Sequence, residues 1–221
     1  MLVCDLDDTL YKEIDFVRSS FPAIGAELAR RGLMDAASAE RILRSAPTMS
    51  KGIDRLMARL QETRPACDIN PADIVEVYRN HQPHISLSPG VVQTLSELKQ
   101  RGVKLGLITD GRSGTQRAKI QALGLERFFD GENIIISEEI GADKNTPVPF
   151  ELMMSRNPDV KRFVYVGDNP AKDFYWPNRL EWCTVMLLAD HSNLKPQQIV
   201  LPSGYRSLFR ITSFPEIRLF C

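Results

Sequence analysis

An α/β fold built on a Rossmann-like, doubly wound parallel sheet is predicted by three observations. Short apolar runs recur along the chain, helical patterns fill most of the gaps, and the runs end abruptly on polar residues. The runs are "LVCDLD" (2–7), "VKLGLIT" (103–109), "NIIIS" (133–137), "RFVYVGD" (162–168) and "CTVMLLA" (183–189). Near-continuous apolar runs of this length mark strands covered on both faces, as in a parallel sheet.

The connecting helices are "GVVQTLSELKQRG" after Pro89, "GTQRAKIQALGL" after Ser113 and "PVPFELMMSR" after Lys144. Strands alternating with such helices form parallel βαβ units. From about Tyr11 to His84 the rhythm breaks. The stretches "DFVRSSFPAIGAELARRG", "AASAERILRSA", "IDRLMARLQETR" and "PADIVEVYRNH" carry helical periodicity and no strand pattern. The prediction is a core of residues 1–10 and 86–221 with a helical subdomain inserted over 11–85. The tail from about His191 holds "QQIVLP", "YRSLFRI" and "EIRLFC", which read as short strand or docking segments.

Composition narrows the function. The 28 basic and 28 acidic residues balance, so no electrostatic footprint for a nucleic acid or a membrane surface is present. No apolar run has membrane-spanning length, and Met1 leads into a strand without a basic leader, which predicts a cytoplasmic protein. Cys4, Cys67, Cys183 and Cys221 form no CxxC pair and read as free thiols or small buried hydrophobes rather than zinc ligands or disulfides.

The strand ends carry the chemistry. The first run ends in Asp5, Leu6, Asp7; the second in Thr109, Asp110, Gly111; Lys144 follows the third; the fourth ends in Gly167, Asp168, Asn169, with Asp173 close behind. Singly, each has an ordinary explanation as a helix cap, a turn or a solvated charge. Jointly they fall at the carboxyl ends of strands of one open α/β sheet, where ligands bind. Two like charges about 4 Å apart at an effective dielectric of ~20 repel by roughly 4 kcal/mol, so Asp5, Asp7 and Asp168 cannot cluster ionised without a counter-ion. A hard divalent cation such as Mg²⁺ suits carboxylate oxygens and substrate phosphate, and no His or Cys cluster competes for zinc. With Lys144, such a site attracts a phosphoryl group.

"DLDDT", Thr109 at a strand end, Lys144 with Pro147 and Phe150 following, and "GDNPAKD" together resemble the four ordered motifs of the haloacid dehalogenase (HAD) superfamily of phosphohydrolases. The resemblance covers residues 1 to about 189, and the helical insert resembles that superfamily's C1-type cap. It implies Asp5 as the nucleophile that forms an aspartyl phosphate. Asp7 is implied as general acid and base, Thr109 with the amides of Asp110 and Gly111 as phosphoryl ligands, and Lys144 as the neutralising cation. Asp5, the Asp7 backbone carbonyl and Asp168 are the implied Mg²⁺ ligands, with Asn169 and Asp173 as supporting groups.

The implied substrate is a small phosphorylated metabolite, a sugar phosphate or a nucleoside monophosphate. Two departures stand out: "TDGR" replaces the usual Asn-Gly pair after the Thr, and "DKNTP" replaces the usual Lys-Pro. Dehalogenases of the superfamily generally lack the second aspartate, so Asp7 and Asp168 disfavour that chemistry. Phosphoglucomutase-type phosphotransfer and a non-catalytic binding role remain open alternatives. Tyr11, Lys12, Arg18, Arg55 and the stretch "YRNHQPH" are the candidates for reading the leaving group, and His81 and His84 read as structural.

Overall fold

The structure is a computed structural model that describes residues 1–190 and 192–221. His191, where the tail reading begins, lies outside the described residues. Contacts divide the chain into two compact units, Met1–Glu13 with Ser86–Cys221, and Ile14–Ile85.

The first unit holds a six-stranded parallel sheet. Its strands are β1 (Leu2–Cys4), β2 (Leu105–Thr109), β3 (Ile134–Ile136), β4 (Val164–Gly167), β5 (Cys183–Leu187) and β6 (Phe209–Ile211), in spatial order β3-β2-β1-β4-β5-β6. β1 to β4 are buried throughout, as the unbroken apolar runs require. Under the sheet, Phe150 and Met153 pack with Val3, Ile108, Tyr165, Phe174 and Trp182. Phe163 stacks on Trp182 at a centroid distance of 4.6 Å, and Phe150 meets the same indole edge-on at 5.7 Å.

β1 is shorter than the sequence run 2–7. Its ladder stops at Cys4, opposite Leu107 of β2 and Val166 of β4. The chain then turns out of the sheet, because Leu10 N–H bonds back to Leu6 carbonyl at 3.0 Å and Asp8 adopts a left-handed φ of 56°. Asp5 is therefore the last residue tied to the ladder, through its N–H to Val166 carbonyl at 2.9 Å. Asp7 lies on the departing loop.

The second unit is helical: α1 (Glu13–Ser19, its first residue belonging to the first unit), α2 (Phe21–Arg30), α3 (Ala36–Ser45), α4 (Met49–Thr63) and α5 (Pro71–Asn80). Phe21, Ile24, Leu28, Ala39, Leu43, Leu56, Leu60 and Ile74 form its core. Asp35 and Thr48 cap α3 and α4, and Asn70 with Asp73 forms a capping box on α5; each such cap is worth about 1 kcal/mol. Gly25 lets α2 approach α3, since a Cβ there would stand 2.9 Å from the Ala36 carbonyl. His81 is buried here, bonded to Ser19 Oγ (2.6 Å) and Tyr78 carbonyl (2.7 Å). Arg55 is tied to Ser45 carbonyl at 2.7 Å.

Back in the first unit, α6 (Pro89–Gln100) leads into β2, α7 (Ser113–Ala122) leaves it, and α8 (Ser137–Ile140), α9 (Val148–Arg156) and α10 (Tyr175–Arg179) complete the crossovers. In the tail, "YRSLFRI" supplies the edge strand β6, whereas "EIRLFC" falls in a 3₁₀ helix over Phe214–Phe220. "QQIVLP" forms neither.

Candidate active site

The order β2-β1-β4 sets three strand ends side by side. Asp5 leaves β1, Thr109 closes β2 and Asp168 follows β4, while Lys144 arrives on the loop between α8 and α9. They line one cavity of about 260 Å³, together with Asp7, Asp110, Asn169 and Lys195. A larger cavity, about 380 Å³, lies beside Met1, Lys104 and Arg162 at the opposite end of the strands and contains none of the motif residues.

Lys144 is the hub. Its Nζ lies 2.6 Å from Asp5 Oδ1 and 2.6 Å from Asp173 Oδ1, all three side chains being buried. Burial opposes the lysine's charge, but Asp173 and Asp5 overcome it and carry its pKa well above the ordinary value. Asp5 Oδ2 accepts from Thr9 Oγ1 at 3.3 Å. Asp173 also accepts from Tyr165 hydroxyl (3.1 Å) and Asn169 N–H (2.8 Å). That close approach needs Gly167, where a Cβ would stand 2.5 Å from Asp173 Oδ2.

One lysine cannot balance this crowd. Oxygens of Asp5, Asp168 and Asp173 lie within 4.8 Å of one another. Burial, opposed by Lys144 and reinforced by Asp173, pushes Asp5 up to about 7. Burial and then Asp5 and Asp173 push Asp168 up to about 8. Asp168 has no ion-pair partner among the described residues, only Asn193 Nδ2 at 3.3 Å from Oδ2. Buried carboxylate oxygens with uncompensated charge are the donor set a hard cation such as Mg²⁺ prefers.

Asp7, two residues on, has the opposite surroundings. Its Oδ1 accepts from Lys119 Nζ (2.7 Å) and Tyr11 hydroxyl (2.5 Å), and its Oδ2 from Gln116 Nε2 (3.0 Å). Burial would raise its pKa, but the Lys119 ammonium and these bonds outweigh burial and hold it below the usual carboxylate range. The neighbouring Asp8 is a structural ligand, taking Glu13 N–H at 3.0 Å and Leu194 N–H at 2.9 Å.

The two sequence departures have visible consequences. Asp110 turns towards the lysine loop, accepting Lys144 N–H at 3.1 Å and Lys172 Nζ at 2.8 Å. Asn145 does not leave that loop loose: Asp143 accepts its N–H and side-chain amide at 3.1 and 2.8 Å, and Trp176 Nε1 bonds its carbonyl at 2.7 Å. Gly111 N–H, expected on the phosphoryl group, here donates to Ser137 Oγ at 2.9 Å. Two residues read as contacts for the leaving group are engaged elsewhere: Tyr11 on Asp7, and Lys12 on Asn193 (2.7 Å) and Asp190 (2.9 Å).

A family model for haloacid dehalogenase-like hydrolases matches residues 1–174. The chain belongs to that family. It is 30% identical over 193 residues to the glyceraldehyde 3-phosphate phosphatase of Methanopyrus kandleri, covering 83% of this chain and 81% of that one. To the glyceraldehyde 3-phosphate phosphatase of Methanocaldococcus jannaschii it is 32% identical over 195 residues, 85% and 84% of the two chains. The crystal structure of the HAD hydrolase YfnB of Bacillus subtilis, bound to magnesium, shares the fold with a TM-score of 0.68 at 18% identity, covering 99% of this chain and 96% of that one. No helix of this HAD member, among the described residues, is long and apolar enough to cross a membrane.

Residues that the motifs did not reveal complete the site of this HAD hydrolase. Gln116 and Lys119 stand one helical step apart on α7, in line with buried Ile120 and Leu123. Tyr165 lies inside an apolar strand, and Asn193 and Gln197 reach Asp168 from the tail, the latter through Nε2 to the Asp168 carbonyl at 2.7 Å.

Proposed function

We propose that this hydrolase is a Mg²⁺-dependent phosphatase that releases phosphate from a small phosphomonoester, a sugar phosphate or a nucleoside monophosphate, through an aspartyl phosphate on Asp5. The observation that carries the reading is Asp5 at the ladder's end, with Lys144 on one oxygen and Asp7 in the same cavity. The similarity to two named phosphatases along most of their length supports phosphomonoester hydrolysis.

In this reading Asp5 attacks phosphorus while Lys144 offsets charge on the phosphoryl oxygens and steadies the nucleophile. Thr109 hydroxyl and the Asp110 amide hold the phosphoryl group. Asp7 protonates the departing alkoxide and then takes a proton from the hydrolytic water. Asp5, the Asp7 backbone carbonyl and Asp168 would hold Mg²⁺, with Asp173 and Asn169 supporting them; when bound, the ion supplies positive charge that offsets the anionic substrate.

The test is phosphate release from triose, pentose and hexose phosphates and nucleoside monophosphates, with and without Mg²⁺, with Asp5→Asn as control. The expected result is metal-dependent release that falls more than about 10³-fold in the mutant. Release that survives in Asp5→Asn, or no release from any ester by metal-loaded wild type, would sink the proposal.

A further inference from the structure

Helix α7 turns two polar side chains inward where an amphipathic helix would ordinarily place apolar ones. Gln116 is 2% exposed and Lys119 4%. Lys119 Nζ lies 2.7 Å from Asp7 Oδ1. Gln116 Nε2 lies 3.0 Å from Asp7 Oδ2 and 2.6 Å from Thr109 Oγ1. A carboxylate only accepts, so Asp7 fixes the amide with its NH₂ towards both oxygens. Thr109 Oγ1 is then an acceptor on that side, and its own proton is directed elsewhere, available to an anion in the cavity.

Space for this arrangement is provided by the backbone. Gly111 has a φ of +151°, and a Cβ there would stand 3.0 Å from the Gln116 side chain. The glycine that ends the β2 loop thus admits the glutamine that joins Thr109 to Asp7.

We infer that Gln116 and Lys119 are positioning residues for catalysis: Gln116 sets Asp7 in register with the hydroxyl of Thr109, and Lys119 with Tyr11 fixes the other carboxylate oxygen. The inference rests on the phosphatase reading above. Asp7 stands here as an ionised carboxylate, so to act as the acid it first takes a proton from solvent on one oxygen, releasing a donor there. In the first step the P–O bond to the alcohol breaks as the Asp5 O–P bond forms, and Asp7 gives that proton to the departing oxygen. What remains is the carboxylate that the three donors hold. In the second step water attacks phosphorus, Asp5 leaves, and the water's proton returns to Asp7. Both steps need the Asp7 carboxyl at a fixed place relative to the phosphoryl group, and Gln116 is the one side chain bonded to both Asp7 and Thr109 among the described residues.

The experiment uses leaving-group dependence, which a packing role would not alter. An alkyl phosphate must have its alkoxide protonated, whereas 4-nitrophenolate departs without a proton. Because kcat/KM covers the steps up to alcohol loss, the ratio of its values for glycerol phosphate and 4-nitrophenyl phosphate isolates the acid's contribution. For Gln116→Leu and for Lys119→Met we expect that ratio to fall at least about tenfold, with Lys119→Arg recovering part of the loss. Equal losses on both substrates, or no loss on either, would overturn the inference. If Lys119→Met does not fold, Gln116→Leu, which removes no charge, decides alone. Metal-loaded wild type that releases phosphate from none of the esters tested above would instead overturn the phosphatase reading, and with it this inference.

Discussion

Asp5 and Asp7 stand two residues apart and meet opposite electrostatics. Asp5 shares a buried pocket with Asp168 and Asp173 and has part of one lysine; its carboxyl is pushed up to about 7 by burial and by Asp173, against Lys144. Asp7 is partly buried, and it has Lys119 within 2.7 Å and donors from Tyr11 and Gln116, and is held down. Lost hydration raises both, Asp5 being the more buried, and the balance of partners decides the sign. Once its acids ionise, one cluster carries surplus negative charge suited to a cation. The other is neutral as it stands and suited to holding a single carboxylate in place.

The comparison predicts that asparagine at the two positions acts differently on stability. Asp7→Asn leaves the Lys119 ammonium facing an amide in a buried site, and a loss of about 3–5 kcal/mol is expected from urea unfolding. Asp5→Asn removes one charge from the crowd while Lys144 keeps Asp173, so metal-free stability should change by less than about 1 kcal/mol or rise. Equal losses would show that the two environments are not electrostatically distinct. Lys144→Met should be as costly as Asp7→Asn, because it leaves Asp5 and Asp173 without their cation; adding Asp173→Asn should return part of that stability.

The pH dependence of the metal-free protein is the next largest effect. Asp168 in the folded chain sits at about 8 and Asp5 at about 7, both above the unfolded carboxylate value. Between the unfolded and folded values the folded state binds more protons, so stability falls as pH rises through that window. At ~1.4 kcal/mol per proton per pH unit the two groups together lose about 4 kcal/mol from pH 6 to pH 8, so at about 2–4 °C per kcal/mol the melting temperature in EDTA should drop by roughly 8–15 °C. Saturating Mg²⁺ should flatten the slope and release protons on binding, read in weakly buffered solution. A melting temperature that rises over the same range in EDTA would contradict the surplus-charge account.

How legible these features were in the sequence follows the same division. Asp5, Thr109, Lys144 and Asp168 sit at strand ends, where an apolar run stopping on a polar residue is visible without structure, and the sheet order then gathers them. Lys119 and Gln116 were not legible. On an amphipathic helix a lysine and a glutamine read as a solvated face, and only tertiary packing of α7 buries them; their alignment with Ile120 and Leu123 was the available signal. Asn193 and Gln197 belong to a segment with neither helix nor strand, so no periodicity placed them beside Asp168. The run 2–7 overstated β1 because hydrophobic pattern reports burial, while the ladder ended where the Leu6–Leu10 turn drew the chain away.

The smallest expected effect lies at Lys172, which is more exposed than the side chains of either cluster. Its Nζ is 2.8 Å from Asp110 Oδ2 and 3.8 Å from Asp143 Oδ2, with about a third of the side chain exposed. Solvent screens such a pair, and its worth is about 0–1 kcal/mol. Asp110 keeps its other bond, from Lys144 N–H, when Lys172 is removed. Lys172→Met should therefore shift the urea midpoint by no more than this and change kcat by less than about threefold. Asp110→Ala removes both bonds and loosens the backbone that delivers Lys144, so its kcat should fall further than that of Lys172→Met while stability stays close. If Lys172→Met instead cost as much stability as Asp7→Asn, Lys172 would belong to the charge balance of the buried acids, and the division into a surplus cluster and a neutral one would have to include it.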